Sequence, residues 1–141
     1  MIIMSVDIGT VRTGTAISDK GETMAFPKDV IIERDSEKAI DLVCLKAKEY
    51  KAELIVVGLP KNMDGSLGFK AEECTAASKK IEEKSGIKTV LYDERCTTVI
   101  AHNLLKDNNL NSKKRKNKVD AVAAVMILES YLNFKKNKDR C

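Results

Sequence analysis

Histidine and paired cysteines are nearly absent from this sequence. His102 is the only histidine among 141 residues, and the four cysteines form no C-x-x-C pair. These absences argue against a zinc site and against a disulfide framework. The scarcity of histidine also disfavours hydrolysis by a histidine base, so carboxylates and basic side chains are left as the candidates for chemistry.

Long apolar runs, internal repeats and low-complexity linkers are also missing. No apolar run approaches the length of a membrane span, and residues 1–4 lack the basic leader and cleavage site of a signal peptide. Hydrophobic residues make up 43% and charged residues 33% of the chain, which are values of globular proteins. We therefore expect a cytosolic protein with no membrane partner, in which residues 1–141 form one domain and residues 135–141 a flexible basic tail.

The hydrophobic pattern predicts a mixed α/β fold. Three strands come first, joined tightly enough for an antiparallel meander, and we place them at residues 2–7, 14–18 and 30–33. Ser36 is predicted to cap a helix, and this helix precedes a continuous apolar strand at 54–58. The remaining predicted elements are a helix at 68–84, a strand at 88–92 and helices at 97–106 and 114–134. Together they predict a central sheet of about five strands, a meander plus parallel strands, with helices on both faces.

Asp7 ends the first predicted strand, an apolar run in which a charge is unexpected. A charge buried there costs roughly several kcal/mol unless it is paired or bound to a metal. Asp93 and Glu94 directly follow the strand at 88–92, and ligand sites in such sheets lie beyond the carboxyl ends of parallel strands. The alternative is that both acids only favour the start of the next helix through its dipole.

Asp120 is the third acidic candidate. It begins the stretch 120–128, which is apolar on nearly every side and is therefore not a simple solvated helix face. Ala123 and Ala124 share a helix face with Asp120 and would let that helix approach the sheet closely. The alternative is an exposed pair with Lys116, one turn earlier, worth only about 0.5 kcal/mol.

Asp7, Glu94 and Asp120 suit Mg²⁺ or Mn²⁺ if they converge, because both ions prefer hard oxygen ligands. Two such ions about 4 Å apart support phosphodiester hydrolysis without a histidine or a covalent nucleophile. We therefore predict a two-metal site on these three carboxylates, with Asp93 as a candidate for a further ligand.

Four ordered motifs, which cover almost the whole chain, resemble the YqgF or RuvX family. They are DIGTVRTGTAISD at residues 7–19, VGLPKNMDGS at 57–66, DERCTT at 93–98 and KxxxDxxAAxxILExYL at 116–132. The resemblance implies an RNase H-like fold related to the RuvC Holliday junction resolvases. It also implies a nuclease proposed to process the 5′ end of pre-16S ribosomal RNA, with Asp7, Glu94 and Asp120 at the positions of the acidic triad. The family usually has leucine where this chain has Cys96.

Basic and polar residues near these motifs are candidates for contacts with nucleic-acid phosphates. The loop after the strand at 54–58 is long, which is typical of functional loops, and a run of four cations begins at Lys113. We predict binding to structured or precursor RNA, or to branched DNA, by Arg12, Lys61, Asn62, Arg95, Lys113, Lys114, Arg115 and Lys116. The alternative is that the basic run is only a solvated loop and that Asn62 satisfies the backbone of its own loop. The oligomeric state stays open between monomer and homodimer.

Other functions fit parts of the sequence. The stretch from Asp7 to Gly14 also resembles the first phosphate loop of actin-like ATPases and sugar kinases. Those enzymes need two such domains around a nucleotide cleft, and 141 residues leave no room for the second. A Holliday junction resolvase-like DNA nuclease is another alternative, and so is a non-catalytic RNA-binding or ribosome-assembly factor that keeps the acids for metal-dependent binding.

Overall fold

The computed structural model describes residues 1–60, 68–93 and 112–140, except for the side chains of Phe69 and of residues 112–121 and 137–140. Within these ranges the strands are β1 Ile3–Ile8, β2 Arg12–Ser18, β3 Ala25–Ile32, β4 Leu54–Leu59 and β5 Lys88–Asp93, and the helices are α1 Ser36–Glu49, α2 Phe69–Ser85 and α3 Ser112–Arg140. The strands form one sheet in the order β3-β2-β1-β4-β5. β1, β2 and β3 pair antiparallel, whereas β4 and β5 join parallel to β1. This is the predicted five-stranded mixed sheet.

Two boundaries differ from the sequence prediction. β3 begins at Ala25 and not near residue 30, and it includes Pro27. Proline cannot donate to a ladder, but β3 is an edge strand of the sheet, where a missing donor costs least. α1 is capped by Asp35 and not by Ser36, because the Asp35 carboxylate accepts hydrogen bonds from the amides of residues 37 and 38.

The sheet separates two apolar clusters. α1 and α2 cover one face, where the buried residues include Met4, Val6, Ile31, Ile40, Val43, Ile55, Val57, Leu59 and Ile81. α3 covers the other face, where they include Ile3, Ala16, Leu54, Val56, Ala124, Ile127, Leu128 and Leu132. Successive residues of β1 and β4 alternate between the clusters, as the period of two in a strand requires. Helices therefore lie on both faces of the sheet, as predicted.

Two contacts set the direction of α3 across its face of the sheet. Near the middle of β1, the Ser5 hydroxyl donates a hydrogen bond of 2.6 Å to the carbonyl oxygen of Ala124. Farther along α3, Lys135 Nζ lies 2.5 Å from Glu22 Oε1, and the other carboxylate oxygen of Glu22 lies 3.6 Å from the amino group of Met1. The carboxyl end of α3 is therefore held at the amino end of β1, so the helix runs antiparallel to that strand.

α3 also extends beyond its predicted end. It continues to Arg140 and includes residues 135–140, for which the sequence predicts a flexible basic tail. The assignment of the whole chain to one domain stays a prediction, and the helix predicted at 97–106 lies outside the described residues. Cys44 and Cys74 are buried, and neither forms a disulfide with a described residue. Within the described ranges, no helix is long and apolar enough to cross a membrane.

Candidate active site

The carboxyl ends of the three parallel strands form one edge of the sheet. β1 ends at Ile8, β4 at Leu59 and β5 at Asp93, and the last two residues are register partners. Asp7, the next-to-last residue of β1, is half-buried at this edge. The structure therefore has Asp7 where the sequence predicted it, at the carboxyl end of a central strand.

Asp7 lies on the α3 face of the sheet and has a glycine beside it on each neighbouring strand. It alternates in phase with Ile3 and Ser5, both of which face α3. Gly14 of β2 is its direct partner in the antiparallel ladder. Gly58 of β4 lies one residue beyond the last register pair between β1 and β4. The two strands that flank Asp7 therefore add no side chains beside its carboxylate.

These glycines were not among the site residues proposed from the sequence. Gly58 interrupts the apolar strand Leu54–Leu59, and a glycine inside a strand often marks close approach of a ligand or of another backbone. The sequence therefore indicates that Gly58 has a special position. What the sequence could not supply was the register that aligns Gly14 and Gly58 with Asp7.

Gly9 explains how β1 turns into β2 directly after Asp7. A Cβ atom at this position would lie 2.2 Å from the carbonyl oxygen of Arg12, a distance that no side chain tolerates. Arg12 begins β2 and alternates in phase with Gly14 and Ala16, so it lies on the same face as Asp7. The turn thus brings a predicted phosphate-binding cation to the face of the sheet that carries the carboxylate.

Asp120 lies in α3, one helical turn before Ala124. Because Ala124 is hydrogen-bonded to Ser5, the two carboxylate-bearing residues can be located from that contact. Four residues of helix span about 6 Å, and the two strand residues from Ser5 to Asp7 span about 7 Å. Since α3 runs antiparallel to β1, both steps lead towards the same edge on the same face. The close approach predicted from small residues is confirmed for Ala124, which is fully buried.

Asp93 lies on the other face of the sheet. Val90 and Tyr92 pack in the α3 cluster, and Asp93 alternates with them and pairs with Leu59 of the opposite cluster. Asp93 also takes part in a further interaction within the protein. The strand alternation therefore does not bring Asp93 and Asp7 to one face.

The other predicted site residues are only partly described. Glu94, Lys61, Asn62 and Arg95 lie outside the described residues, as does Cys96. The basic run from Lys113 to Lys116 belongs to the first turns of α3, although its side chains are not described. Among the side chains that are described, no three His, Cys, Asp or Glu residues cluster closely enough to hold a metal. That set does not include Glu94 or the carboxylate of Asp120.

The surroundings of Asp7 fit a divalent cation. Its carboxylate offers the hard oxygen ligands that Mg²⁺ and Mn²⁺ prefer. The glycines at positions 14 and 58 add no side chain beside it on the neighbouring strands, and the carboxyl ends of parallel strands are where ligands bind in such sheets. Among the described side chains the arrangement thus offers one carboxylate to a cation, and the backbone of α3 carries Asp120 one turn before its contact with β1.

Solved structures with the same architecture identify the fold. Thermus thermophilus RuvC in complex with a Holliday junction substrate matches with a TM-score of 0.63 and 13% identity, over 97% of this chain and 96% of that chain. The Fowlpox virus resolvase, in complex with Holliday junction DNA, matches with a TM-score of 0.57 and 16% identity, over 94% of this chain and 97% of that chain. The protein therefore has the RNase H-like fold, as predicted.

Sequence relatives identify the family. A family profile described as "RuvX: Holliday junction resolvase" matches residues 1–134. A Halothermothrix orenii protein named "Putative pre-16S rRNA nuclease" is 40% identical over 134 residues, which are 95% of this chain and 96% of that protein. A Bacillus cytotoxicus protein of the same name is 39% identical over 137 residues, which are 96% of this chain and 100% of that protein. The chain belongs to the RuvX family, which confirms the family inferred from the four motifs.

Proposed function

We propose that this protein is a metal-dependent endonuclease of the cytoplasm that hydrolyses phosphodiester bonds and processes the 5′ end of pre-16S ribosomal RNA. The names of its relatives support the substrate, and its fold supports the reaction because the RuvC and Fowlpox virus resolvases share it. The proposed catalytic residues are Asp7, Glu94 and Asp120.

The single observation that carries this proposal is the hydrogen bond between Ser5 and Ala124. It joins β1 to α3. Ser5 lies two residues before Asp7, and Ala124 lies one helical turn after Asp120. A structural role alone does not require Asp7 and Asp120 to approach the same sheet edge from two elements. Two like charges that approach each other repel, so a bound cation is the simplest reason for bringing them together.

Glu94 is the third proposed ligand, as the family motif implies. Strand alternation argues against Asp93, which lies on the face opposite Asp7. Together the three carboxylates would hold Mg²⁺ or Mn²⁺. When bound, such ions activate a water molecule and stabilise the leaving oxygen of the phosphodiester.

The chain itself would orient the carboxylates and bind the substrate backbone. The basic run 113–116 lies at the amino end of α3, where the helix dipole disfavours positive charge, and the first turn contains no acid to offset it. Phosphate groups of the RNA would supply the negative charge that balances this basic run. We therefore propose that this run, with Arg12, Lys61, Asn62 and Arg95, binds RNA phosphates near the acids.

The experiment compares wild type with Asp7→Asn and Asp120→Asn on labelled pre-16S rRNA, single-stranded RNA and four-way DNA junctions, with and without Mn²⁺. We expect each variant to lose roughly 100-fold or more in cleavage rate. Asp41→Asn is the matched control, because Asp41 is an exposed residue of α1 that bonds Lys84 on the other face. Cleavage at equal rates by wild type and both site variants would refute the proposed site.

A DNA junction resolvase is the second candidate, and the RuvC-like fold favours it. The same experiment separates the two functions, because a resolvase cleaves the four-way junction in preference to the precursor RNA. A non-catalytic assembly factor would bind the precursor RNA and cleave neither substrate. Charge reversal of Lys113, Lys114 and Arg115 should flatten the salt dependence of binding in each case, and an unchanged slope would exclude a phosphate role for this run.

A further inference from the structure

A cleft of about 630 Å³ opens on the α1/α2 face of the sheet, on the side opposite Asp7. Ile8, Gly9, Thr10 and Thr13 line it, so it begins at the turn that directly follows Asp7. The cleft and the proposed catalytic edge are therefore at the same end of β1 but on opposite faces. Its volume is in the range of small-molecule binding sites.

The floor of the cleft is apolar and its rim is charged. The floor is formed by side chains of the sheet, α1 and α2, which are Ile8, Ala39, Ile40, Val43, Ala77 and Ile81. The rim carries the cations Arg34, Lys70 and Lys80 and the acids Glu33 and Glu73. A ligand that fits this lining has a flat or apolar body with an anionic group and hydrogen-bond donors at its edge.

Two rim cations have no partner within the described part of the chain. Lys80 is paired with Glu37, and the Glu33 carboxylate accepts a hydrogen bond from the amide of residue 35. Arg34 and Lys70 are exposed, and no described residue bonds to either. Lys70 also belongs to the first turn of α2, whose start at Gly68 has no side-chain cap. This rim therefore combines two cations that pair with no described residue and the positive end of a helix dipole.

Thr13 has a buried hydroxyl group that pairs with no described residue. Its side chain lines the cleft and is only 3% exposed, but its hydroxyl group forms no hydrogen bond with any described residue. By contrast, the hydroxyls of Ser5 and Thr15, which are also buried in β1 and β2, each donate to a carbonyl oxygen. Buried hydroxyl groups normally find a partner, because leaving one unsatisfied costs free energy.

We propose that this cleft binds one nucleotide, with its base against the apolar floor and its phosphate beside Lys70, Arg34 and the start of α2. The Thr13 hydroxyl would bond to the base or the ribose, and Glu73 would accept a hydrogen bond from a ribose hydroxyl or an amino group. The nucleotide is either a free nucleoside monophosphate or the terminal nucleotide of a strand. Only the second source rests on the proposed nuclease function, because that strand would pass over the turn at Gly9 to reach Asp7.

The test is calorimetry with the four nucleoside monophosphates, together with adenosine and inorganic phosphate as partial ligands and without added metal. We expect at least one monophosphate to bind more tightly than either partial ligand. Lys70→Glu should weaken binding about tenfold or more through loss of a charge-assisted contact. Ala76→Phe should abolish binding, because Ala76 is an exposed lining residue and a phenyl ring there fills the mouth. Thr13→Val should weaken binding about two- to tenfold.

Lys79→Glu is the matched control for charge, since Lys79 is an exposed residue of the same helix outside the cleft lining. The affinity of Lys79→Glu for the monophosphate should stay within about twofold of wild type. Residue 79 lies far enough from the ligand that mainly a screened electrostatic interaction remains. The proposal is overturned if no monophosphate binds at millimolar concentration. It is also overturned if Lys70→Glu and Ala76→Phe bind as tightly as wild type.

A 5′-phosphorylated RNA oligonucleotide distinguishes the two sources of the nucleotide. The Asp7→Asn variant should not cleave the oligonucleotide. The affinity for the oligonucleotide is therefore measured in this variant, with and without the additional Lys70→Glu substitution. Weakening of oligonucleotide binding by Lys70→Glu assigns the cleft to a strand end, whereas an effect on the free nucleotide alone assigns it to a small ligand. Asp7→Asn should abolish cleavage while leaving nucleotide binding intact, so failure of the nuclease function and failure of the cleft are separate results.

Discussion

The two faces of the sheet differ in how they are covered and in what they leave open. On one face α3 is the helix that the described ranges provide, and it crosses the strands antiparallel to β1 and leaves Asp7 half-buried between two glycines. On the other face α1 and α2 share the covering, and a cleft with an apolar floor and a charged rim remains at the same end. The α3 face thus leaves space beside Asp7 for a cation, whereas the α1/α2 face leaves space for a larger ligand.

Alternation along one strand makes this difference possible. Asp7 and Ile8 are consecutive residues of β1, but the first belongs to the proposed metal site and the second to the floor of the cleft. Adjacent side chains of a strand point to opposite faces, so a short segment can contribute to two chemically different sites. The comparison predicts that substitutions on the two faces separate activity from stability.

Loss of core volume should give the largest effect. Ile127 is fully buried on the α3 face and Ile55 is fully buried on the other face. Ile127→Ala and Ile55→Ala should each lower the free energy of unfolding by about 2–5 kcal/mol, measured by urea denaturation. Only Ile127→Ala should also reduce the cleavage rate per folded molecule, because it loosens the packing of α3 against the sheet.

Valine variants at both positions keep this comparison measurable if the alanine variants do not fold, since Ile→Val costs about 0.5–1.5 kcal/mol. Equal losses of specific activity from both faces would show that α3 does not position the site separately from the rest of the core.

Removal of a buried hydroxyl group should give an intermediate effect. Ser5 bonds α3 on one face, and Thr15 donates a hydrogen bond of 2.6 Å to the carbonyl oxygen of Asp29 on the other. Ser5→Ala and Thr15→Val should each cost about 1 kcal/mol of stability. Ser5→Ala should in addition lower the cleavage rate and weaken metal binding, measured by Mn²⁺ titration. Unchanged metal affinity in Ser5→Ala would count against the contact as the support of the site.

Surface ion pairs should give the smallest effect. The hydrogen bond from Lys135 holds the pKa of Glu22 below its ordinary value of 4.5, and hydrogen bonds from Lys80 and then Lys84 do the same for the pKa of Glu37. A lowered pKa stabilises the folded state above the unfolded value, and this contribution is lost as the pH falls through the folded value. Glu22→Gln should therefore cost less than about 1 kcal/mol at pH 7.

The difference in stability between wild type and Glu22→Gln should shrink as the pH falls below about 4.5. Glu37→Gln should show the same pH dependence, measured by thermal unfolding across that range. Only the Glu22 variant should change activity, because Glu22 holds the end of α3 whereas Glu37 joins α1 to α2. A difference in stability that stays constant below pH 4 would exclude these pairs as its source.

Much of the fold could be predicted from local pattern. The continuous apolar strand Leu54–Leu59 and the three-four spacing of Ile40, Val43, Cys44 and Ala47 on α1 both depend on residues close in sequence. β3 begins earlier than the sequence predicts, because Pro27 is typical of a break and only the edge position of β3 makes a proline acceptable in this strand.

The sequence indicates the acidic residues of the proposed site, but it does not indicate how they are arranged. Asp7 and Asp120 are conspicuous because each is a charge in an apolar segment. The sequence does not distinguish Asp93 from Glu94, because both follow the strand predicted at 88–92. The register of β5 with β4 assigns Asp93 to the face opposite Asp7, whereas Glu94 lies outside the described residues. Lys70 and Thr13 gave no signal in sequence, because only the packing of α1 and α2 makes them neighbours of one cleft.

The sequence by itself determined the types of the elements, the alternation of their faces and the family to which the chain belongs. Tertiary structure decided the direction of α3, the alignment of Gly14 and Gly58 with Asp7, and the cleft behind them. The physical reason is the range of the interactions. Periodicity reflects neighbours within one or two turns, whereas the Ser5 to Ala124 hydrogen bond joins residues that are 119 positions apart and forms only when the sheet and α3 have packed.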